Sequence, residues 1–525
     1  MGDRGPDVGT VLDAVVVGGG IAGLVAAREL AVRGLRPLVL EAWAAPGGAV
    51  GRHTVAGLEL DAGADSFATR DGIVAALATE LGLGEAIAAP SRAGAWVQLP
   101  TGAGTLPRTG ILGIPAYPWA RDVRRTIGLV GALRASADRW LPAARGTVNR
   151  DGSPASLGAL VAARMGRRVL ERLVTPIVSG VHAADPNELD MDTVAPGLRA
   201  ELAARGSLGA AVVSMRALAP AGSAVAGLVG GMHRIIDALT ADIEAHGGRV
   251  EAHARVTAIE REGRETSAAN EPASTMPRAS TVEWTVRVAG SAGGPDRSLR
   301  ARRLVLALPG PAAADLLAPH VPGLAATRPE AGADVILATL VLDAPALDAA
   351  PRGTGVLVAP GVAGVRAKAL THATAKWPWL AAAAGPGRHV LRLSYGQPGG
   401  PRSTDPSAPD IAGLSLPDLT AVALADASTL LGVALDASQV VEAARVRWSQ
   451  SLPKPSPAHR AAVATARAGA AALPGLAVCG AWVAGNGLAA VVAQAREVGG
   501  LLAADTVADT DPAPGEAVNI RLTRS

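Results

Sequence analysis

Four glycines and one acid near the N-terminus carry the most specific chemistry in this sequence. Gly18, Gly19 and Gly20 are followed by Ile21, Ala22 and Gly23, a G-x-G-x-x-G spacing, and Glu41 lies farther on. In that spacing the first glycine allows a tight turn and the second lets backbone approach a pyrophosphate. The third lets a helix pack on a strand. A helix that starts at such a turn offers unpaired N–H groups and the positive end of its dipole to phosphate oxygens. A carboxylate ending the next strand accepts hydrogen bonds from ribose hydroxyls. The chemistry implied is dinucleotide binding.

The elements that must position these residues surround them. Asp13-Ala-Val-Val-Val17 is uncharged and β-branched after its first residue, which predicts a buried strand. Leu24 to Gly34 carries apolar residues at helical spacing and ends on a glycine. Arg36-Pro-Leu-Val-Leu40 is a second strand with Glu41 at its end. Pro46-Gly-Gly48 comes next, where side chains would block a chain running close along an extended cofactor. Flavin proteins need this second approach, and plain doubly wound NAD enzymes usually lack it. A β-ribbon over Thr54–Leu60, a closing stretch Asp61–Phe67 and a helix from Gly72 to Leu83 complete the unit.

The chain as a whole narrows the class. Its 525 residues exceed one core and predict two or three domains. It is 49% hydrophobic and 18% charged, with a net charge of +3. No run of cations is dense enough to predict nucleic-acid binding. Cys479 stands alone, which excludes an intrachain disulfide and a cysteine-based metal cluster, and it is expected in the core. Histidines at 53, 233, 246, 253, 320, 372 and 389 show no paired metal spacing, so no metal is expected. The N-terminus lacks a signal-peptide pattern. The uncharged runs near Ala217–Met232 and Leu473–Gln494 are broken by glycine, proline or asparagine and read as buried segments, not membrane spans.

Farther along, the stretch 95–118 reads as short strands. Asp122–Arg139, Leu157–Leu173 and Leu198–Leu218 read as helices of an insertion, and Gly227–Met232 leads into a helix through Ala245. Arg249–Glu260, Thr281–Val288 and Arg300–Leu308 read as three strands, with Gly263–Ser280 looping out between the first two. Ala333–Leu342, Gly355–Ala359, His389–Ser394 and Val440–Trp448 read as a second sheet, and Gly399–Pro417 as a surface loop. A strand at Leu476–Gly480 and a helix from Leu488 to about Ala503 close the fold, before a tail expected to be disordered.

These pieces together resemble the flavin-dependent porphyrinogen oxidases of haem synthesis, within the flavin amine oxidase superfamily. Gly18–Gly23, Glu41 and Gly47-Gly48 are superfamily features. Asp65-Ser-Phe67 with Arg70, Leu112-Gly-Ile-Pro115, Val178–Asp185, Gly230-Gly-Met232 and Trp448–Pro453 with His459 are closer to the porphyrinogen branch, and Gly485-Asn-Gly487 resembles its C-terminal flavin segment. The resemblance implies an α/β fold in which an FAD-binding Rossmann-like domain joins a mixed-sheet substrate domain and a helical insertion. The FAD-binding domain is expected from 11–94, 223–310 and 451–506, and the substrate domain from 95–118 and 311–450. The insertion is expected at 119–222, with disordered ends at 1–10 and 507–525.

The same resemblance implies FAD contacts at Gly18, Gly19, Gly20, Ile21, Ala22, Gly23, Glu41, Ala42, Gly47, Gly48 and Ala49. It adds Gly63, Ala64, Asp65, Ser66, Val256, Trp482, Gly485, Asn486, Gly487 and Val491. Arg70, Arg92 and His182 are the substrate-binding candidates, since arginine binds tetrapyrrole carboxylates bidentately. His182 and His459 read equally as structural histidines, and Asp65-Ser66 equally as a helix cap. No catalytic side chain is assigned, because the chemistry resides on flavin N5. The helix starting near Leu488 points its positive end at negative charge on the reduced ring. The activity implied is oxidation of coproporphyrinogen III to coproporphyrin III in three two-electron rounds, with molecular oxygen as acceptor and hydrogen peroxide as product. A protoporphyrinogen IX oxidase is the alternative; an amine oxidase, a carotenoid-type desaturase and a non-catalytic flavin-binding partner are more distant rivals. The expected setting is the cytoplasm, with at most peripheral membrane contact and transient contact with other haem-pathway enzymes. The sequence departs from the family at Ala45-Pro46, where a basic residue is common, and at Asp71, where some members carry lysine.

Overall fold

The computed structural model describes residues 10–69, 71–107, 110–149, 152–182, 184–217, 225–262, 283–290, 294–396, 410–452 and 456–504. A five-stranded parallel sheet forms its first layer, in the order Arg249–Glu251, Pro37–Leu40, Ala14–Val17, Leu304–Leu306 and Leu476–Val478. Ala14–Val17 is buried along its whole length, as an uncharged central strand covered on both faces must be. Helices Ile21–Ala31, Arg234–Ala245 and Leu488–Ala504 pack in one core on one face. The other face is covered by a second sheet of Val11–Leu12, Arg297–Ala301, Glu283–Val288 and Val256–Glu262.

Two expected strands turn out to be two strands each. Arg249–Glu260 contributes Arg249–Glu251 to the parallel sheet and then turns at His253, whose φ is +54°, before Val256–Glu262 joins the neighbouring sheet. Arg300–Leu308 changes sheets at Arg302-Arg303, where the buried Arg303 Nε donates to the Leu502 carbonyl. A continuous apolar run does not reveal which sheet each half joins. The expected loop Gly263–Ser280 and the tail after Thr506 lie outside the described residues, as do residues 399–409 of Gly399–Pro417. The last two residues of that stretch open a helix, Leu416–Leu431, which Ser415 caps by accepting from the Asp418 N–H.

The helical stretch has a core of its own, built on residues such as Val123, Ile127, Leu160, Val161 and Leu198. Each of its three expected helices is interrupted at a glycine in the left-handed region. Gly128 (φ +73°) kinks Arg121–Ser136, Gly166 (φ +92°) ends Leu157–Met165, and Gly206 (φ +76°) divides Leu198–Arg205 from Leu208–Ala217. Arg164 is fully buried at the centre; its Nε donates to Asp138 Oδ1 at 2.6 Å and its other nitrogens to carbonyls of Pro142 and Gly206.

The third layer is a seven-stranded sheet ordered Val440–Leu452, Ala333–Asp343, Arg388–Tyr395, Ala369–His372, Gly355–Val358, Trp96–Leu99 and Gly102–Thr105. All pairs are antiparallel except Gly355–Val358 with Trp96–Leu99. Helix Leu416–Leu431 covers its outer face. Its inner face, with Leu337, Val341, Val390, Arg392 and Trp448, looks toward the ribbon Arg52–Val55 and Leu58–Asp61. Among the described residues no helix is long and apolar enough to cross a membrane.

Candidate active site: a glycine cradle beside the inner face of the seven-stranded sheet

The glycines of the N-terminal motif differ in what a Cβ would meet, and those differences explain the spacing. Gly18 has φ +106°, and a Cβ there would lie 2.5 Å from the Ala307 carbonyl oxygen. A Cβ on Gly23 would lie 1.9 Å from the Gly18 carbonyl oxygen, so only glycine lets the helix seat on the strand. Gly20 immediately precedes helix Ile21–Ala31, and a Cβ on it would meet nothing within 4 Å, so the helix start faces open space. That is the cradle a pyrophosphate needs: a helix start with no side chain in front of it.

Glu41 is buried beside this turn. Its Oε2 accepts from the Gly19 N–H at 2.8 Å and its Oε1 from the Trp43 N–H at 2.9 Å. Each oxygen keeps a second lone pair for a ribose hydroxyl. Ala42 follows half-buried. Gly47 donates to the Gly19 carbonyl at 2.8 Å and carries φ +131°, which brings Gly47, Gly48 and Ala49 alongside the motif. Ala49 in turn accepts from the Ala64 N–H at 2.8 Å, and a Cβ on Gly63 would lie 2.2 Å from the same oxygen. The early glycines therefore form a continuous backbone track from Gly18 to Ala64.

Asp65 and Ser66 end the track in an ion cluster that sequence reading missed. Lys376 Nζ lies 2.9 Å from Asp65 Oδ2, Arg392 Nη2 lies 3.4 Å from it, and Ser66 Oγ donates to Oδ1 at 3.0 Å. Arg392 Nη1 also donates to the Gly63 carbonyl at 2.8 Å. Burial opposes charge on Asp65, but Arg392 and then Lys376 outweigh it and hold the carboxyl well below the usual range. Burial, aided by Arg392, keeps His53 neutral to lower pH than an ordinary histidine. The neighbouring Asp61 accepts from the Met232 and His233 N–H groups at 3.0 and 3.1 Å, tying the Gly230-Gly231 turn to the ribbon. Trp448 Nε1 donates to the Ala62 carbonyl at 2.8 Å, a further link from sheet to track. Arg392 left one trace in the sequence, a lone cation inside Val390-Leu-Arg-Leu393; Lys376 left none.

The C-terminal segment reaches the cradle from the other side. A Cβ on Gly480 would lie 3.9 Å from the Ala22 Cβ. Gly485 and Gly487 have φ +94° and +119° with nothing within 4 Å of a Cβ position, and helix Leu488–Ala504 starts directly after them. Asn486 lies between them, Trp482 and Val491 are buried, and His459 Nε2 bonds the Trp482 carbonyl at 2.8 Å. His459 thus holds the C-terminal turn, and burial lowers its pKa. Val256 opens its strand two residues after Ala254, whose N–H donates to the Glu41 carbonyl.

The substrate candidates fare differently. Arg70 lies outside the described residues. Arg92 is exposed, next to Ser91, whose N–H donates to the Lys376 carbonyl at 2.8 Å. His182 ends helix Thr175–His182; that helix meets the inner face of the sheet where a Cβ on Gly180 would lie 2.7 Å from Leu357. Cys479 is fully buried and its thiol is pushed up to about 12 by desolvation, as a core residue should be.

Comparison with known proteins decides the family. The family model for flavin containing amine oxidoreductases matches residues 21–508. The chain belongs to that family. As a flavin-containing amine oxidoreductase it has relatives named coproporphyrinogen III oxidase. The Mycobacterium tuberculosis protein is 31% identical over 489 residues, covering 91% of this chain and 95% of the relative. The Mycobacterium leprae protein is 29% identical over 493 residues, covering 91% and 96%. A solved structure of a candidate protoporphyrinogen oxidase from Exiguobacterium superposes with a TM-score of 0.74 at 22% identity, covering 94% of this chain and 99% of that one. Putrescine oxidase bound to putrescine superposes at 0.60 with 17% identity, covering 95% and 99%. The expected resemblance, the α/β flavin-protein fold and the oxidoreductase class are borne out by these matches.

Proposed function

We propose that this flavin-dependent oxidoreductase uses FAD to oxidise coproporphyrinogen III to coproporphyrin III, with molecular oxygen as acceptor and hydrogen peroxide as product. The observation that carries this reading is the match to coproporphyrinogen III oxidase over 95% of its length. FAD is favoured over a mononucleotide because the glycine cradle and Glu41 form a pyrophosphate-and-ribose site. Bound FAD would supply the acceptor for hydride removed from a meso carbon.

The chain's own residues supply binding, orientation and charge. Gly18 to Gly23 would hold the pyrophosphate and Glu41 the ribose. Gly47 to Ala49, Gly63 to Ser66, and Gly485 to Gly487 would let backbone run close to the ring. The start of helix Leu488–Ala504 would favour negative charge there. Across the inner face of the sheet, Val446, Leu337, Ser394, Ala369 and Leu357 lie in one register row. That small and apolar floor suits a flat macrocycle, with Arg70, Arg92 and His182 proposed toward its carboxylates. The domain division expected above, with FAD-binding at 11–94, 223–310 and 451–506, belongs to the same proposal, as does a cytoplasmic setting.

Anaerobic mixing with reduced coproporphyrinogen III tests the reading: the flavin absorbance should bleach within a turnover and return on admitting oxygen. A flavin that stays oxidised overturns it. Protoporphyrinogen IX is the second reading, favoured by a rice chloroplast protoporphyrinogen oxidase 32% identical over 191 residues. Faster bleaching by protoporphyrinogen IX would select it.

A further inference from the structure

Beyond the residues assigned above, one exposed aromatic stands at the far end of the cradle. Trp43 is 71% exposed, among the most exposed large apolar side chains described. Its backbone is nonetheless fixed on both sides. The Trp43 N–H donates to Glu41 Oε1 at 2.9 Å, and its carbonyl accepts from the His253 N–H at 2.9 Å. The Arg255 guanidinium lies 5.8 Å from the indole centroid, over one face of the ring. Among the described residues no carboxylate pairs with Arg255. A large apolar ring is therefore held on rigid backbone, with a cation on one side and solvent on the other.

The linear order of a dinucleotide says what belongs on the open side. Phosphates would meet the helix start at Gly20, and the attached ribose would meet Glu41. The base is the next group along, so it must continue past Glu41, where the chain presents Trp43 and Arg255. Adenine is flat, electron-rich and apolar on its faces, and it stacks on indole and guanidinium planes. An exposed tryptophan scattered on a surface needs no explanation in itself. Here the indole sits two residues from the ribose acid, and the acid itself pins its backbone.

We propose that Trp43, backed by Arg255, is the adenine platform of this chain and makes it select FAD over FMN. The inference rests on the FAD reading above and adds the residues that recognise the adenine half. Trp43 touches no catalytic atom, so its role is read from binding.

The test uses the full-length chain stripped of flavin and titrated with FAD, FMN and ADP, following flavin fluorescence and, for ADP, competition with FAD. Trp43→Ala should weaken FAD and ADP about tenfold or more, with FMN unchanged within about twofold, by the usual cost of losing one base stack. Trp43→Phe should recover most of the loss, and Arg255→Gln should weaken FAD and ADP by a smaller factor of about three. An unchanged melting temperature in Trp43→Ala, expected for an exposed side chain, keeps the comparison free of misfolding. FAD affinity within twofold of wild type in Trp43→Ala, or equal losses for FAD and FMN, overturns the proposal. If the wild-type chain takes up neither flavin, the FAD reading fails first, and this inference falls with it.

Discussion

Asp65 joins the backbone track to the seven-stranded sheet, and replacing it with asparagine isolates that joint. Lys376 and Arg392 lie 2.9 and 3.4 Å from the same carboxylate oxygen, with all three side chains only 16–17% exposed. At an effective dielectric of about 20 these separations correspond to gross attractions of about 6 and about 5 kcal/mol. Dehydration of three ions offsets most of that. What remains is the cost of stranding two cations, about 3–5 kcal/mol when one partner of a buried pair is removed. The lower end applies, because Arg392 keeps the Gly63 carbonyl and Lys376 keeps the Trp377 ring, 4.9 Å away. For a chain this large about 3 kcal/mol lowers the melting temperature by roughly 3–6 °C.

The pH dependence has a definite sign. The folded-state carboxyl is held below its ordinary value of 3.8, so the stabilisation is complete above that value and is lost as pH falls beneath it. Thermal melts of wild type and Asp65→Asn should therefore differ by a constant amount from pH 8 to about 5 and converge below about 4. Removing Lys376 as well, in Asp65→Asn with Lys376→Met, should recover part of the loss by eliminating one stranded charge. Melting within 1 °C of wild type at pH 7, or a gap that widens as pH falls, refutes the reasoning.

Other positions separate cofactor binding from folding. Gly20→Ala, with nothing within 4 Å of its Cβ, should leave the melting temperature of the stripped protein unchanged and weaken flavin binding about tenfold or more. Gly23→Ala, which collides with the Gly18 carbonyl, should lower both. Asp138→Asn strands the fully buried Arg164 and should cost about 3–5 kcal/mol. Hydrogen exchange should place that loss in the helices between Arg121 and Ala217, with amides of the Gly18 turn unaffected. His372 is buried, bonded to His389 at 3.0 Å, and pushed down to about 4 by desolvation from an ordinary 6.5. It resists protonation in the fold, so its stabilisation is whole above pH 6.5 and is lost by about 3 kcal/mol as pH falls to about 4. His372→Asn should flatten that slope in pH-dependent melts.

Residues close in sequence determined their own geometry. The G-x-G-x-x-G turn, its strand and helix, and Glu41 at the next strand end are short-range features, whose constraints are steric and act over one βαβ unit. The ribbon, the Gly47-Gly48 approach and the final helix were legible for the same reason. What needed the tertiary structure were contacts whose partners lie hundreds of residues apart. Asp65 meets Lys376 and Arg392 only because sheet register turns Arg392 inward in the row of Thr339 and Thr371. The same holds where one apolar run feeds two sheets, at Arg249–Glu260 and Arg300–Leu308, and where Gly128, Gly166 and Gly206 divide single helical patterns. Hydrophobic periodicity reports that a segment is buried. Which neighbour buries it is decided by the packing of the whole chain.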